Sequence, residues 1–119
     1  MPRQTRRVVI TGTGTVTPFG LGTGALWGAL CEGRSGVGPS RTFDFSGFPT
    51  PYVAQVPDEL FDVKNVVPKS YRKATKVMAR DIELAVGAAM EAMNEAKLQT
   101  KAHESGSGTI PPARFGCHI

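Results

Sequence analysis

A short apolar run that leads directly into a glycine-rich turn is the feature that most constrains this chain. Residues 6–20 read Arg-Arg-Val-Val-Ile-Thr-Gly-Thr-Gly-Thr-Val-Thr-Pro-Phe-Gly. The run at residues 8–11 has no polar alternation, and it predicts a strand covered on both faces, as in the parallel sheets of α/β proteins. Glycines at the carboxyl end of such a strand let the backbone approach a phosphate, an acyl chain or another element of the fold.

The composition is that of one folded domain with many loops. Of the 119 residues, 40% are hydrophobic and 20% are charged, which excludes wholesale disorder. The 14 glycines and 9 prolines indicate that loops occupy much of the chain. A domain of this length can bury roughly two-thirds of the surface that its unfolded chain exposes, so a sizeable core is expected.

The two cysteines, Cys31 and Cys117, belong to no Cys pair or Cys/His cluster. Neither a disulfide scaffold nor a zinc site is indicated, and we expect reduced thiols in the cytoplasm, with no metal and no cofactor. The Arg6-Arg7 pair resembles a twin-arginine export signal, but the apolar run after it is too short. No segment approaches the roughly 18 apolar residues of a membrane span, so no membrane partner is expected.

Two helices are expected from the spacing of apolar residues. The first has about nine residues, with Thr23 placed to cap its start, Gly33 to close its end, and Cys31 on its apolar side in the core. The second, within residues 71–98, carries a longer stripe at spacings of three and four. The stripe consists of Met78, Ile82, Ala85, Val86, Ala89, Met93 and Ala96. The many small residues of this helix favour close packing on a sheet or on another helix.

The other segments are predicted to be mostly irregular. Residues 34–57 are rich in glycine and proline, and they predict a long loop with a short strand at residues 52–56. Residues 99–113 predict an exposed, mobile, polar connection. Residues 114–119 are expected to form another buried strand. Because a domain usually ends on polar, exposed residues, an end inside an apolar strand leads us to expect a fragment.

The net charge of +4 is unevenly distributed. Arg3, Arg6 and Arg7 lie at the amino end. Five basic residues fall within twelve positions that contain no acid, and they are Lys69, Arg72, Lys73, Lys76 and Arg80. Such a cluster would attract an acidic partner, and it is also typical of the solvated start of a helix.

A dinucleotide-binding fingerprint is satisfied in form only. The segment Gly20-Leu21-Gly22-Thr23-Gly24-Ala25 fits G-x-G-x-x-A, and Asp44 follows about twenty residues later. In that fingerprint the first glycine ends the strand, whereas here a loop that contains Pro18 separates Thr11 from Gly20. A nucleotide-binding domain is therefore a remote alternative.

No complete catalytic constellation can be assembled from these residues. Cys117 and His118 are adjacent, so on a strand they would point to opposite faces of a sheet. His103 lies in the polar connection, where a histidine is usually solvated. We expect solvated carboxylates on a surface turn and on the polar face of the long helix, namely Asp58, Glu59, Asp62, Glu83, Glu91 and Glu95.

The pattern R-R-V-V-I-T-G-x-G-x-V-T-P-x-G resembles the amino terminus of beta-ketoacyl-[acyl carrier protein] synthases. Further matches follow in the family's order along essentially the whole chain. They are Leu26-Trp27, Leu30, Gly33-Arg34-Ser35-Gly36-Val37, Phe43-Asp44, Phe48-Pro49, residues 54–56, residues 85–98 and Arg114-x-Gly116-x-x-Ile119.

The resemblance implies a thiolase-like α/β fold of two similar halves, each with a mixed five-stranded sheet and with two buried helices between the sheets. Residues 1–119 would be the first part of the amino-terminal half. The family performs decarboxylative Claisen condensation in fatty-acid or polyketide biosynthesis, with a nucleophilic cysteine and two histidines that lie beyond Ile119. No catalytic residue is therefore carried over, and we expect the chain alone to have no condensing activity.

The resemblance also implies partners. Family members hold an acidic acyl carrier protein with basic residues near this helix start, which makes Arg72, Lys73 and Lys76 the candidate docking residues. Acyl and malonyl thioesters would be the substrates of the full-length enzyme, which is expected to be a homodimer and to bind no nucleic acid. Lys97 stands where the family often has a helix-ending glycine.

Thr13 and Thr15 replace commonly apolar residues of the family and are typical of a divergent subgroup. A non-catalytic, chain-length-determining partner or a carrier-binding module is therefore the alternative to an active synthase.

Overall fold

Two short antiparallel hairpins and two α-helices make up the regular part of the chain. The computed structural model describes residues 6–101 and 108–118. In the first hairpin Val16 lies opposite Leu21, and in the second Gly38 lies opposite Val53. The elements are β1 (Val16–Thr17), β2 (Gly20–Leu21), α1 (Thr23–Cys31), β3 (Val37–Pro39), β4 (Tyr52–Ala54) and α2 (Arg80–Glu95), with 3₁₀ turns at Val63–Asn65, Lys69–Tyr71, Ala74–Val77 and Pro112–Arg114.

The strand predicted at residues 8–11 is wrong for the described structure. The segment has no regular structure, and Val8 and Ile10 are 94% and 87% exposed. A strand buried on both faces needs a neighbouring strand and a layer on each side. The described residues provide no strand that pairs with this segment. The sequence therefore shows the β propensity of residues 8–11 but not whether a partner strand is present.

The glycines that follow bring the backbone onto α2. A Cβ atom at Gly14 would overlap the carbonyl oxygen of Ala88 and lie 2.5 Å from the amide nitrogen of Ala92. A Cβ atom at Gly12 would lie 2.8 Å from the amide nitrogen of Ala96. Such distances exclude any side chain larger than hydrogen. The alanine-rich helix is thus closely packed as expected, but its neighbour here is the glycine-rich turn and not the predicted sheet or helix.

Helix α1 has the expected length but not the expected cap. Its N-cap is Gly22, with φ of 100°, and no side chain caps the helix. The hydroxyls of Thr23 and Thr13 lie 3.2 Å apart and form a hydrogen bond. Gly33, with φ of 67°, ends the helix as predicted, and its amide donates to the Leu30 carbonyl at 3.1 Å. This geometry is the usual left-handed C-terminal cap.

The apolar side of α1 is not covered by the described residues. Ala29 is buried, but Trp27 is 67% exposed and Cys31 is exposed. The prediction of a core position for Cys31 is therefore wrong here. Cys31 is exposed because no described element packs on that side of the helix.

The loop at residues 34–57 contains a hairpin. A strand was predicted at residues 52–56, and it is confirmed in the shorter form of β4. Its partner β3 was not predicted, because Gly38 and Pro39 are poor strand formers. Three aromatic rings pack edge to face between the two strands, those of Phe43, Phe45 and Phe48.

Helix α2 begins at Arg80, nine positions later than the sequence prediction. The first turn of the helix contains Asp81 and Glu83, whose negative charges suit the positive end of the helix dipole. The basic residues before it would oppose the same dipole. They occupy 3₁₀ turns instead, so the stripe begins outside the helix at Met78.

The core includes only part of the predicted stripe of α2, since Val86 belongs to it. Phe61, Val63 and Val67 are buried. Gly87 is the buried residue of α2, and a Cβ atom there would lie 2.5 Å from the Phe61 ring. Partly buried residues complete this cluster, and they are Val16, Leu21, Val56, Val66, Leu84 and Val86. Of the predicted stripe, Ile82 and Ala89 are exposed.

Hydrogen bonds connect the described range that ends at residue 101 to the one that begins at residue 108. Gln99 and Thr109 bond to each other, since the Thr109 amide donates to the Gln99 carbonyl at 2.8 Å and the Gln99 amide donates to the Thr109 hydroxyl at 2.9 Å. Residues 102–107, with His103, lie outside the described residues, as does Ile119. The strand predicted at residues 114–119 is wrong over its described part, because a 3₁₀ turn and exposed irregular chain stand there without a pairing strand.

The dimensions are those of an open structure. The radius of gyration is 18.0 Å, whereas a compact domain of this length has about 14 Å. Within the described residues the core is small, and other apolar faces, such as that of α1, are uncovered.

Candidate functional site

The basic cluster lies on residues 69–77, which consist of two successive 3₁₀ turns, Lys69–Tyr71 and Ala74–Val77, and of Arg72 and Lys73 between them. We call this whole segment the basic turns. Their amides bond three residues back, as in Tyr71 to Pro68 at 2.9 Å and Met78 to Thr75 at 3.2 Å. The Thr75 side chain is buried, and its hydroxyl donates to the Arg72 carbonyl at 2.8 Å. This bond satisfies the buried hydroxyl within the segment itself, because a buried hydroxyl needs a partner.

The predicted docking residues Arg72, Lys73 and Lys76 are all exposed on the basic turns, and Lys69 is exposed beside them. None of the ion pairs among residues 6–101 and 108–118 involves these four side chains. We call Lys69, Arg72, Lys73 and Lys76 the basic surface. Four cations without a neutralising carboxylate create a local positive potential that attracts an acidic partner.

Arg80, the fifth cation of the cluster, is committed to internal contacts. Its guanidinium lies 2.9 Å from the Asp58 carboxylate and 2.8 Å from that of Glu83, and it donates to the Val56 carbonyl at 3.2 Å. It also lies 5.6 Å from the centre of the Phe61 ring. Arg80 therefore joins the start of α2 to residues 56–58 and does not belong to the basic surface.

Two carboxylates on the polar face of α2 have partners within the fold. The carboxylate of Glu95 accepts hydrogen bonds from both the amide and the hydroxyl of Thr13. These two bonds hold the pKa of Glu95 below its usual value. Glu83 is held by Arg80. Both carboxylates thus have partners within the fold, while Glu95 is exposed as expected.

The remaining candidates that the structure describes form no catalytic arrangement. Cys31, Cys117 and His118 are exposed. Asp44 accepts a hydrogen bond from the Ser46 amide at 2.9 Å, which lowers its pKa and closes a local turn. Among the described residues no three acidic, histidine or cysteine side chains are placed to hold a metal ion. No helix within the described ranges is long and apolar enough to span a bilayer.

A groove of about 750 Å³ lies between the β3–β4 hairpin and the start of α2. Apolar side chains line much of it, among them Phe19, Val53 and Leu84, with Arg41 and Arg80 also in its wall. Arg41 lies 3.9 Å from Glu59, and Arg80 is paired as described above. Because both cations have acidic neighbours, the groove presents no net charge that would select a ligand.

Residues 5–112 match the family described as the beta-ketoacyl synthase N-terminal domain. The match covers most of the chain, and the chain therefore belongs to the beta-ketoacyl synthase family.

Three relatives illustrate the likeness. The 3-oxoacyl-[acyl-carrier-protein] synthase 2 of Coxiella burnetii is 42% identical over 97 residues, which are 81% of this chain and 22% of that protein. The synthase of the same name from Synechocystis is 39% identical over 95 residues, 80% of this chain and 22% of that protein. The actinorhodin polyketide putative beta-ketoacyl synthase 2 of Streptomyces coelicolor is 38% identical over 90 residues, 76% of this chain and 21% of that protein. The aligned part is about a fifth of each relative.

Two surface residues escaped the sequence analysis. Val77 is 88% exposed and Tyr71 is 51% exposed, and both belong to the basic turns. An α-helix, with 3.6 residues per turn, would distribute Tyr71, Ala74 and Val77 around its axis, whereas a 3₁₀ helix, with 3.0 residues per turn, aligns them. The spacing of Tyr71, Ala74 and Val77 was the signal that could have identified them.

Proposed function

We propose that the chain is the amino-terminal part of a 3-oxoacyl-[acyl carrier protein] synthase that acts in fatty-acid or polyketide biosynthesis. The observation that carries the proposal is the match of residues 5–112 to the family's N-terminal domain. Relatives named as synthases of this kind, and a polyketide synthase relative, support the substrate class. The proposal includes the thiolase-like fold of two halves, because a single half leaves apolar faces such as those of α1 uncovered.

The proposed reaction forms a carbon–carbon bond in two stages. An acyl group is first transferred from its thioester to a cysteine of the full-length enzyme, which needs a thiolate and an oxyanion hole. A malonyl thioester then loses carbon dioxide, and the resulting carbanion attacks the acyl thioester and releases the cysteine thiolate. The cysteine and the two histidines of this reaction belong to the sequence after Ile119 in our proposal. The present residues supply scaffold and partner binding.

We propose that the basic surface receives the acidic acyl carrier protein. Four exposed cations without neutralising carboxylates among the described residues support this role for Arg72, Lys73 and Lys76, and add Lys69. Long-range attraction between opposite charges accelerates encounter and fixes orientation. A homodimeric full-length enzyme in the cytoplasm is part of the same proposal.

The decisive experiment reads the gene past Ile119 and assays the full-length protein. We expect a cysteine and two histidines downstream, and release of carbon dioxide when acyl and malonyl carrier-protein thioesters are supplied together. The 119-residue chain alone should neither take up an acyl group nor condense one. Absence of the three downstream residues would replace the synthase with a non-catalytic partner of an active one.

Docking is tested by charge reversal in the full-length protein. The double variant Lys73→Glu/Lys76→Glu should bind the carrier protein more weakly and lose most of its dependence on salt. A matched control, Lys64→Glu/Lys101→Glu, makes the same change in net charge at two exposed positions outside the basic turns. Equal affinity of the wild type and the Lys73/Lys76 variant would rule out docking at this surface.

A further inference from the structure

The side chains of the basic turns form three longitudinal ridges, because side chains three positions apart are aligned in a 3₁₀ helix. One ridge carries the exposed Lys69 and Arg72 and the buried Thr75. A second ridge carries Lys73 and Lys76, which are exposed. The third ridge carries Tyr71, Ala74 and Val77, which are exposed and apolar over most of their surface.

The three-residue alignment is continuous between the two turns. Arg72 and Lys73 join them, and both have helical dihedral angles, with φ and ψ of −59° and −28° and of −68° and −34°. The Arg72 amide donates to the Lys69 carbonyl at 3.3 Å, and the Lys76 amide donates to the Lys73 carbonyl at 3.4 Å. The apolar ridge and the cationic ridge therefore run side by side on the outer surface.

Val77 differs in exposure from Thr75, which lies two positions before it. The Thr75 side chain is buried, and its hydroxyl donates to the Arg72 carbonyl within the same segment. Val77 is 88% exposed, more than Tyr71 at 51%. A β-branched apolar side chain in that position loses water only when a partner covers it.

We propose that Val77, supported by Tyr71, is the apolar anchor of carrier-protein docking. The inference rests on the proposed function of the basic surface and adds a specific contact to it. The partner surface that fits is acidic and presents at least one apolar side chain beside its carboxylates. The carboxylates would meet Lys73 and Lys76, and the apolar side chain would cover Val77. Charges then set orientation and rate of encounter, while the apolar contact slows dissociation.

The test measures binding of the purified acyl carrier protein from the same organism to the full-length protein. Truncation of Val77 to alanine removes two methyl groups from the interface, which should weaken affinity by about five- to tenfold. The salt dependence should remain that of the wild type, since no charge changes. The heat capacity change of binding should become less negative, because less apolar surface is buried. Val77→Leu should retain tight binding.

Controls separate the contact from general effects. Val37→Ala makes the same truncation at another exposed valine, on β3 and away from the basic turns, and should bind as the wild type does. The thermal midpoint of Val77→Ala should be unchanged, since an exposed side chain contributes little to folding.

Three results have distinct meanings. Weaker binding of Val77→Ala at an unchanged salt dependence supports the anchor. Unchanged binding of Val77→Ala together with weaker binding of Lys73→Glu/Lys76→Glu overturns the anchor and leaves docking intact. Unchanged binding of both variants overturns docking at this surface and the anchor with it.

Discussion

Thr13 and Glu95 connect the opening turn to the last turn of α2 across 82 positions of sequence. The Thr13 hydroxyl donates to Oε2 of Glu95 at 2.7 Å, and the Thr13 amide donates to the same oxygen. The glycines on either side of Thr13 allow this, because they let the backbone lie against Ala88, Ala92 and Ala96. The Gly-Thr-Gly segment thus packs closely on α2 and orients the Thr13 amide toward the Glu95 carboxylate.

The pH dependence of stability should report this connection. Hydrogen bonds from Thr13 lower the pKa of Glu95, so the ionised form binds Thr13 more strongly than the protonated form does. A lowered folded-state pKa contributes stability above the unfolded value of about 4.5, and the contribution is lost as the pH falls through the folded pKa. Glu95→Gln should therefore lower the thermal midpoint at pH 7 and become equal to the wild type in acid.

The variant Thr13→Val divides the effect between the two donors. It removes the hydroxyl and keeps the amide, which is the larger cause of the lowered pKa. As the pH falls, the Thr13→Val variant should therefore lose stability at a higher pH than the wild type does, but at a lower pH than a protein in which the pKa of Glu95 is unperturbed. A pH dependence identical in Glu95→Gln and the wild type would show that Thr13 does not hold this carboxylate.

Gly14 should tolerate no side chain. A Cβ atom there meets the backbone of Ala88 and Ala92, and backbone atoms of a helix cannot move aside as a flexible side chain does. Gly14→Ala should destabilise the protein by about 2–3 kcal/mol, as over-packed sites do. Gly28→Ala is the matched control, because a Cβ atom in that exposed part of α1 meets nothing within 4 Å and alanine favours helix. Equal thermal midpoints of the two variants would contradict the packing of residues 12–14 on α2.

The sequence predicted the elements that depend on local chemistry better than those that depend on partners. Gly33 ends α1 where a left-handed residue is needed, and the length of α1 follows from its local pattern. The burial of Cys31 and the strand at residues 8–11 depend on layers that the described residues do not contain, and both predictions failed. The start of α2 was missed because apolar spacing was given more weight than the charges of Lys73 and Lys76.

The candidate site was predictable in composition but not in geometry. Sequence identified the cations, yet only the structure separates Arg80, which is paired with Asp58 and Glu83, from the exposed Lys73. The side-by-side ridges depend on the 3₁₀ period of three residues, whereas the apolar spacing in the sequence had predicted an α-helix for this segment.

Lys97 adopts φ of 56°, the left-handed conformation expected for the helix-ending residue at this position. Its amide donates to the Asn94 carbonyl at 3.0 Å, and the Leu98 amide donates to the Met93 carbonyl at 2.9 Å, which completes the usual cap. Lys97→Gly should raise the stability by about 1 kcal/mol, since glycine adopts this conformation without strain. Lys101→Gly, at an exposed position, controls for loss of the charge and should bring no gain in the thermal midpoint.

Thr15 carries a buried hydroxyl oxygen that has no hydrogen-bond partner within the described ranges. Burial of an unpaired hydroxyl costs about 1–3 kcal/mol. Thr15→Val keeps the shape and removes the polar atom, so it should raise the thermal midpoint. A lower midpoint in the full-length protein would mean that the hydroxyl finds its partner in the rest of that protein.

A charged residue in place of Ile10 should be favourable in the 119-residue chain and unfavourable in the full-length protein. In the 119-residue chain it is 87% exposed, and an exposed apolar segment without a pairing strand promotes self-association. Ile10→Lys should therefore reduce the sedimentation of aggregates and the binding of an apolar dye in the short chain. If the full-length protein covers residues 8–11 as the first strand of a sheet, the same lysine is forced into an apolar layer and should abolish folding. Arg7→Lys, at an exposed neighbouring position, should change neither protein. A full-length Ile10→Lys enzyme with normal activity and thermal midpoint would show that this segment stays outside the sheet.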